Sequence, residues 1–132
     1  MASCGAVGGV RAAESAGHVA LIQGMDVGGG DAAFAATVGV NERGCLGLVG
    51  PDRELYAVVI WPHSTHLDDE GNVHDAHGDV VRVGDAIEAG GGEAPFAERY
   101  PEQAERCLSD PTDEDAVVIE LWTVTRSGGS AR

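Results

Sequence analysis

The segment from Leu55 to Trp61 constrains the fold of this sequence more than any other stretch. It reads Leu-Tyr-Ala-Val-Val-Ile-Trp and stops at Pro62. Because successive side chains of a β-strand point to opposite faces, a strand with this sequence is apolar on both faces. Such a strand is typical of the middle of a sheet or of a small barrel, where both faces are covered. We therefore expect the domain to be built around it.

Further strands and one helix are predicted on either side of this segment. A hairpin turn at residues 41–44 joins a first strand, which runs from about residue 34, to the next one. Pro101 is expected in the first turn of the helix, with Ala104, Cys107 and Leu108 on its buried face. The remaining predicted elements are a strand at 44–49, a strand at 79–89, the helix at 95–108 and a last strand at 116–125. The strand at 79–89 is expected to be bent by a bulge at Gly84-Asp85 and to end at Gly90-Gly91-Gly92.

This order of elements predicts a mainly β fold. The expected architecture is a small five-stranded OB-like barrel with one short helix before the last strand. A two-layer α+β sandwich is the alternative. The barrel domain is predicted to span residues 34–126, after a flexible Gly/Ala-rich leader at 1–33 with at most a short strand at 18–22. Residues 127–132 are predicted to be a disordered tail.

The charge balance restricts the partners of the protein. The 132 residues include 22 acids, eight arginines and no lysine, which gives a formal net charge of −14. Such a surface repels phosphate backbones and anionic lipids, so we expect no nucleic-acid partner. The sequence has no run of about 18 apolar residues, so it predicts no transmembrane span. The partner itself is unknown.

The three cysteines are expected to have different roles. The stretch Met-Ala-Ser-Cys at residues 1–4 is similar to the end of a bacterial lipoprotein signal, although the charged and apolar parts of such a signal are missing. Cys4 is therefore a lipidation candidate. Cys45 and Cys107 are then left as an even pair, which suits a disulfide in an oxidising compartment. The alternative is three unpaired thiols in a cytoplasmic protein.

Histidines are concentrated in the polar stretch between residues 63 and 77. Four of them, His63, His66, His74 and His77, flank carboxylates at residues 68–70. Neutral imidazoles and carboxylates are zinc ligands, so the tract is a candidate metal site of a metal-binding protein or a metal-dependent hydrolase. Its spacing lacks the helical His-Glu-x-x-His pattern. We therefore favour an exposed polar loop, with zinc as the alternative to having no cofactor.

No catalytic residue is assigned from the sequence. Ser64, His66 and Asp68 lie in one loop, whereas catalytic triads are assembled from distant elements. The triple glycine at residues 28–30 is followed by a predicted strand, whereas a dinucleotide-binding motif needs a helix there. Whether the protein is an enzyme is left open, with a non-enzymatic role favoured.

Three short motifs run through the predicted domain: Gly-Cys-Leu at residues 44–46, Val-Val-x-Trp-Pro at 58–62 and Val-Gly-Asp at 83–85. In this order they resemble a set of uncharacterised small proteins of high-GC bacteria, often exported or lipoprotein-like. In those proteins a second cysteine commonly lies before the last strand, as Cys107 does. The resemblance implies a compact β fold with a disulfide, but it implies no activity. Ser64 departs from it, since glycine is frequent at this place.

The sequence thus predicts a small non-enzymatic β-barrel that binds a ligand or partner. The cell envelope is slightly favoured over the cytoplasm because of the cysteine pattern. Trp61, at the end of its strand, is the candidate platform on which a ligand would stack.

Overall fold

The computed structural model describes residues 9–24, 32–50, 55–75 and 77–126. Ten strands and two short helices occur in this part of the chain. The strands are β1 (Val10–Ser15), β2 (His18–Gln23), β3 (Ala32–Val40), β4 (Leu46–Val49), β5 (Leu55–Trp61), β6 (His66–Leu67), β7 (Val73–His74), β8 (Val80–Val81), β9 (Ala86–Pro95) and β10 (Val117–Arg126). The helices are α1 (Phe96–Arg99) and α2 (Pro101–Cys107).

Five of the strands close into a barrel. The order is β5-β10-β9-β3-β4, and β4 pairs again with β5. The pairings around the ring are antiparallel except for β5 with β10, which is parallel. The predicted fold class is confirmed: the protein is mainly β, with a closed five-stranded barrel and a short helix before the last strand.

Strand β5 is covered on both faces, as its sequence predicts. Ala57, Val59 and Trp61 belong to the cluster that fills the barrel interior. Val58 and Ile60 belong to a second cluster on the outside of the barrel, which includes Phe96, Ala104 and Cys107 of the helical segment. Alternate residues of β5 are therefore buried in two different apolar clusters, one on each face of the strand.

Residues 10–23 form a hairpin where the sequence predicts a flexible leader. Strand β2 runs parallel to β5, with Leu21 opposite Ile60 and Ile22 opposite Trp61. Ala20, Leu21 and Ile22 are fully buried. The predicted short strand at 18–22 is thus part of the sheet, and a partner strand, β1, precedes it. Its apolar residues are held by pairing with β5, which is distant in sequence. The remainder of the predicted leader, residues 1–8 and 25–31, lies outside the described residues, as does the predicted tail at 127–132.

The strand predicted at residues 79–89 is also different in the structure. It is divided into β8 and β9 by a turn at residues 82–85, where Gly84 has a φ of +99° and the Asp85 N–H donates to the carbonyl of Arg82. Val83 is exposed in this turn. The three glycines at 90–92 continue β9 instead of ending it. Pairing with β10 overrides their weak strand preference.

The helical segment has the predicted face but is interrupted at Tyr100. Pro101 begins α2, as expected, and Ala104 and Cys107 are fully buried. The hydroxyl of Tyr100 donates a hydrogen bond to Oε2 of Glu120 on β10. Burial, and after it the hydrogen bond to the Glu120 carboxylate, raise the pKa of the Tyr100 phenol far above its ordinary value.

We expect the Tyr100→Phe variant to lose less stability than the parent protein at alkaline pH. A raised pKa in the folded state means that this contribution is complete below about pH 10, the ordinary tyrosine value, and is lost as the pH rises above it. Near pH 7 the variant should be less stable by about 1 kcal/mol, because one hydrogen bond is missing. Urea unfolding between pH 7 and pH 11 measures both effects. Tyr56 is present in both proteins, so parallel pH profiles would contradict the assignment to Tyr100.

Candidate functional site

The turn between β3 and β4 is organised by the side chain of Asn41. Its Oδ1 accepts hydrogen bonds from the backbone N–H groups of Arg43 (2.9 Å) and Cys45 (3.0 Å). Its Nδ2 donates to the carbonyl of Cys107, at 2.8 Å. Gly44 takes a φ of +84°, as the predicted hairpin turn requires. One asparagine thus fixes the turn and ties it to the end of α2.

A disulfide joins the same two elements. Cys45 and Cys107 are bonded, with their Cα atoms 5.7 Å apart, and both are fully buried. This confirms the predicted pairing. Cys4 lies outside the described residues. The bridge and the Asn41 hydrogen bond both attach the 41–45 turn to Cys107 at the end of α2.

The turn of the β1–β2 hairpin lies against this anchored turn. Ala16 and Gly17 both have positive φ, at +54° and +83°, which is the pattern of a primed two-residue hairpin. The backbone N–H of Val19 donates to the carbonyl of Gly44, at 2.7 Å. A Cβ on Gly44 would lie 2.5 Å from the carbonyl oxygen of Gly17, so only glycine permits this approach. The two turns therefore form one continuous wall.

A cleft of about 480 Å³ opens between this wall and α2. Arg43 lines it from the β3–β4 turn and Arg106 from α2. Arg106 Nη2 pairs with Oε2 of Glu14, and both side chains are well exposed. We refer to this cleft, lined by residues 14–19 with Arg43 and Arg106, as the arginine cleft.

We expect Ala16→Asn to stabilise the protein by about 1 kcal/mol. Alanine is strained at positive φ, and among the residues that have a Cβ asparagine tolerates this conformation best. The measurement is thermal or urea unfolding of the full chain. Ala12→Asn is the matched control, since Ala12 is also exposed but lies in extended strand β1. Equal effects of the two substitutions would contradict the strain at Ala16.

The histidine tract forms a small three-stranded sheet of β6, β7 and β8. His66 lies opposite His74 across β6 and β7. Their rings are stacked, with centroids 4.8 Å apart and planes inclined by 22°. Nε2 of His74 is 2.7 Å from Oδ2 of Asp68. The sequence prediction of a polar loop missed this sheet, whose strands are only two residues long.

Asp68 holds the turn between the first two of these strands. Its Oδ1 accepts from the backbone N–H groups of Glu70 and Asn72, both at 2.9 Å. The N–H of Asn72, and next the imidazole of His74, lower the pKa of the Asp68 carboxyl. Its stabilising effect is therefore present above the ordinary aspartate range and is lost as the pH falls through the lowered pKa.

Of the four histidines proposed as metal ligands, the structure brings His66 and His74 together. Nδ1 of His63 lies 3.2 Å from the carbonyl oxygen of Gln23, and His77 is exposed in a turn, whereas His66 and His74 lie in β6 and β7. Within residues 9–24, 32–50, 55–75 and 77–126, no three His, Cys, Asp or Glu side chains are grouped to hold a metal ion. Only two of the four predicted ligands are therefore neighbours.

Trp61 does not lie on the surface, in contrast to its predicted role as a platform. Its side chain is fully buried in the interior cluster. The alternation of β5 places it in the barrel with Val59, although it stands at the end of the strand. A buried ring has no free face on which a ligand can stack, so the structure does not support this site.

Sequence reasoning did not find the arginine cleft. Glu14, Arg43 and Arg106 come from three segments that are far apart in the chain and carry no shared motif. Their only signal in the sequence is indirect, since basic residues are rare in this acidic chain.

Comparisons with known proteins give no relative for this chain: no family model matches it, and no curated protein or solved structure is significantly similar. The resemblance to small proteins of high-GC bacteria therefore stays a prediction. Among the helices of the described residues, none has the length and apolar character needed to cross a bilayer.

Proposed function

We propose that this protein is a non-catalytic, OB-like β-barrel module of the cell envelope that binds a small ligand in the arginine cleft. A lipid anchor at Cys4 would attach it to the membrane surface. Nucleic acid is not its expected partner, because the net charge of −14 opposes contact with phosphate backbones.

The observation that carries this proposal is the buried Cys45–Cys107 bridge. Disulfides form and persist in secreted and envelope proteins and are rare in the cytosol. This bridge joins the 41–45 turn, just before β4, to the end of α2, and both of its cysteines belong to the buried outer cluster. Such a bond stabilises the fold only where it stays oxidised, that is, in an oxidising compartment.

The same bridge supports a binding role for the arginine cleft. It fixes one wall of the cleft, and Asn41 fixes the same wall through its bond to the Cys107 carbonyl. A cleft whose walls are already held binds with less loss of conformational entropy. Its volume of about 480 Å³ is within the range of small-molecule sites.

The test is to trap thiols in intact producing cells and to fractionate the same cells. We expect the protein in the envelope fraction with one free thiol, or with none and a lipid-sized mass increase if Cys4 is modified. A cytoplasmic protein with three free thiols would contradict the proposal.

Metal binding is the second candidate function. The observation that favours it is the neighbouring position of His66 and His74 on the small sheet, where their rings are stacked. Metal analysis of protein purified without a histidine tag tests it. Stoichiometric zinc that is lost in His66→Gln and His74→Gln, but retained in His77→Gln, would support a site at this pair.

A further inference from the structure

We infer that the arginine cleft recognises a carboxylate or phosphate group on a small molecule. This inference rests on the proposed binding function and specifies the chemistry of its ligand. It is carried by the charges that meet in the cleft, by the existing carboxylate on Arg106 and by the fixed geometry of the walls.

The charges of the cleft differ from those of the rest of the surface. The chain has 22 acids and eight arginines, yet two of the arginines line this one cleft. Within the described part of the chain, the Arg43 guanidinium has no ion-pair partner, and the residue is exposed and lines the cleft. A second cleft, beside α1, is lined instead by Glu98 and Glu114. Of these two clefts, the arginine cleft is therefore the one that favours an anion.

Glu14 is the carboxylate that pairs with Arg106. Its Oε2 pairs with Nη2 of Arg106, and a guanidinium is a general partner for carboxylates and phosphates. The side chains are 59% and 40% exposed, respectively, and such exposed pairs are held weakly. An anionic ligand can therefore replace Glu14 on Arg106 and at the same time contact Arg43. Glu14 acts as an internal competitor for the site.

The walls of the cleft are tied to one another. The β1–β2 turn is held against the 41–45 turn by the Val19–Gly44 hydrogen bond, and the 41–45 turn is bonded to the end of α2. Arg43 and Arg106 are thus presented from two elements that a disulfide fixes to each other. A ligand anion meets two guanidinium groups without a rearrangement of the backbone.

The test is titration of the oxidised full chain with citrate, inorganic phosphate and, as the uncharged control, glycerol, followed by calorimetry and by the ¹⁵N spectra of the backbone and arginine side chains. The salt concentration is kept at about 0.15 M, where distant acids are screened beyond about 8 Å. We expect saturable binding of citrate or phosphate, with shifts at residues 14–19, 43 and 106. A response to citrate alone assigns a carboxylate ligand, and a response to phosphate alone assigns a phosphate ligand.

The variants separate the cleft from general electrostatics. Arg43→Gln and Arg106→Gln are each expected to weaken binding roughly tenfold, the effect of one charge-assisted contact. Arg82→Gln removes the same charge from an exposed turn outside the cleft and should leave the affinity unchanged. Glu14→Gln is expected to strengthen binding roughly fivefold, because it removes the competing carboxylate.

The inference is overturned if neither anion binds saturably to the parent protein or to Glu14→Gln. It is also overturned if Arg82→Gln weakens binding as much as the two cleft variants do. Either result, obtained with the disulfide intact in the envelope fraction, leaves the proposed envelope function standing. A reduced cytoplasmic protein would overturn that function even if the cleft binds anions.

Discussion

Replacing Gly91 with alanine is expected to lower the free energy of unfolding by about 3 kcal/mol, near the upper end for an overpacked core. Gly91 is buried in β9, opposite Leu121 of β10. A Cβ at this position would overlap the carbonyl oxygen of Glu120 and lie 3.0 Å from Cα of Leu121. Because these neighbours are backbone atoms, no side-chain rotation can relieve the overlap, and the barrel must open between β9 and β10.

Gly92→Ala is the matched control for this prediction. The two glycines are adjacent in β9, but a Cβ on Gly92 would have no neighbouring atom within 4 Å. We expect it to be neutral or to stabilise the protein by up to about 1 kcal/mol, because alanine restricts the unfolded chain. Urea unfolding of both variants measures the difference. Equal losses would show that the close packing of β9 on β10 is not the cause.

Removal of the disulfide in the Cys45→Ala/Cys107→Ala variant is expected to lower the free energy of unfolding by about 4 kcal/mol. The bridge joins residues separated by 62 positions, so its loss restores a large loop entropy to the unfolded chain. Both side chains are also fully buried between β4 and α2, and two alanines leave unfilled space there.

Urea unfolding under non-reducing conditions measures this loss. Cys4→Ala is the control, because it removes a thiol and leaves the bridge in place. The parent protein treated with a reductant should approach the stability of the double variant, apart from the space left by the two sulfurs. A parent protein that is insensitive to reductant would contradict the structural role of the bridge.

The sequence predicts burial best for a strand that is covered by an apolar cluster on each face. The apolar residues of β5 alternate without a polar position, and the structure buries Val58 on one side and Val59 on the other. Strand β10 is also covered on both faces, since Ile119 belongs to the interior cluster and Val118 to the outer cluster. Such patterns are local. They predict that a residue is buried, whichever strand or helix packs against it.

The predictions failed where pairing across the chain outweighed local preference. Glycine at 90–92 reads as the end of a strand, yet close contact with β10 makes Gly91 the residue that fits. The small residues of β1 read as a linker, yet β2 aligns that segment beside β5. In both cases the stabilising contact is made with a segment that is distant in the sequence, so the local pattern of residues does not reveal it.

The sequence by itself predicted the fold class and the helix before the last strand, and it gave Cys45 and Cys107 as a candidate pair, because alternation, proline position and residue counts act locally or in bulk. Only the tertiary structure decided that Trp61 is buried, that two of four histidines are neighbours, and that Arg43 and Arg106 share a cleft. The reason is geometric: a site depends on distances between side chains, and closure of the barrel sets those distances between residues that lie far apart along the chain.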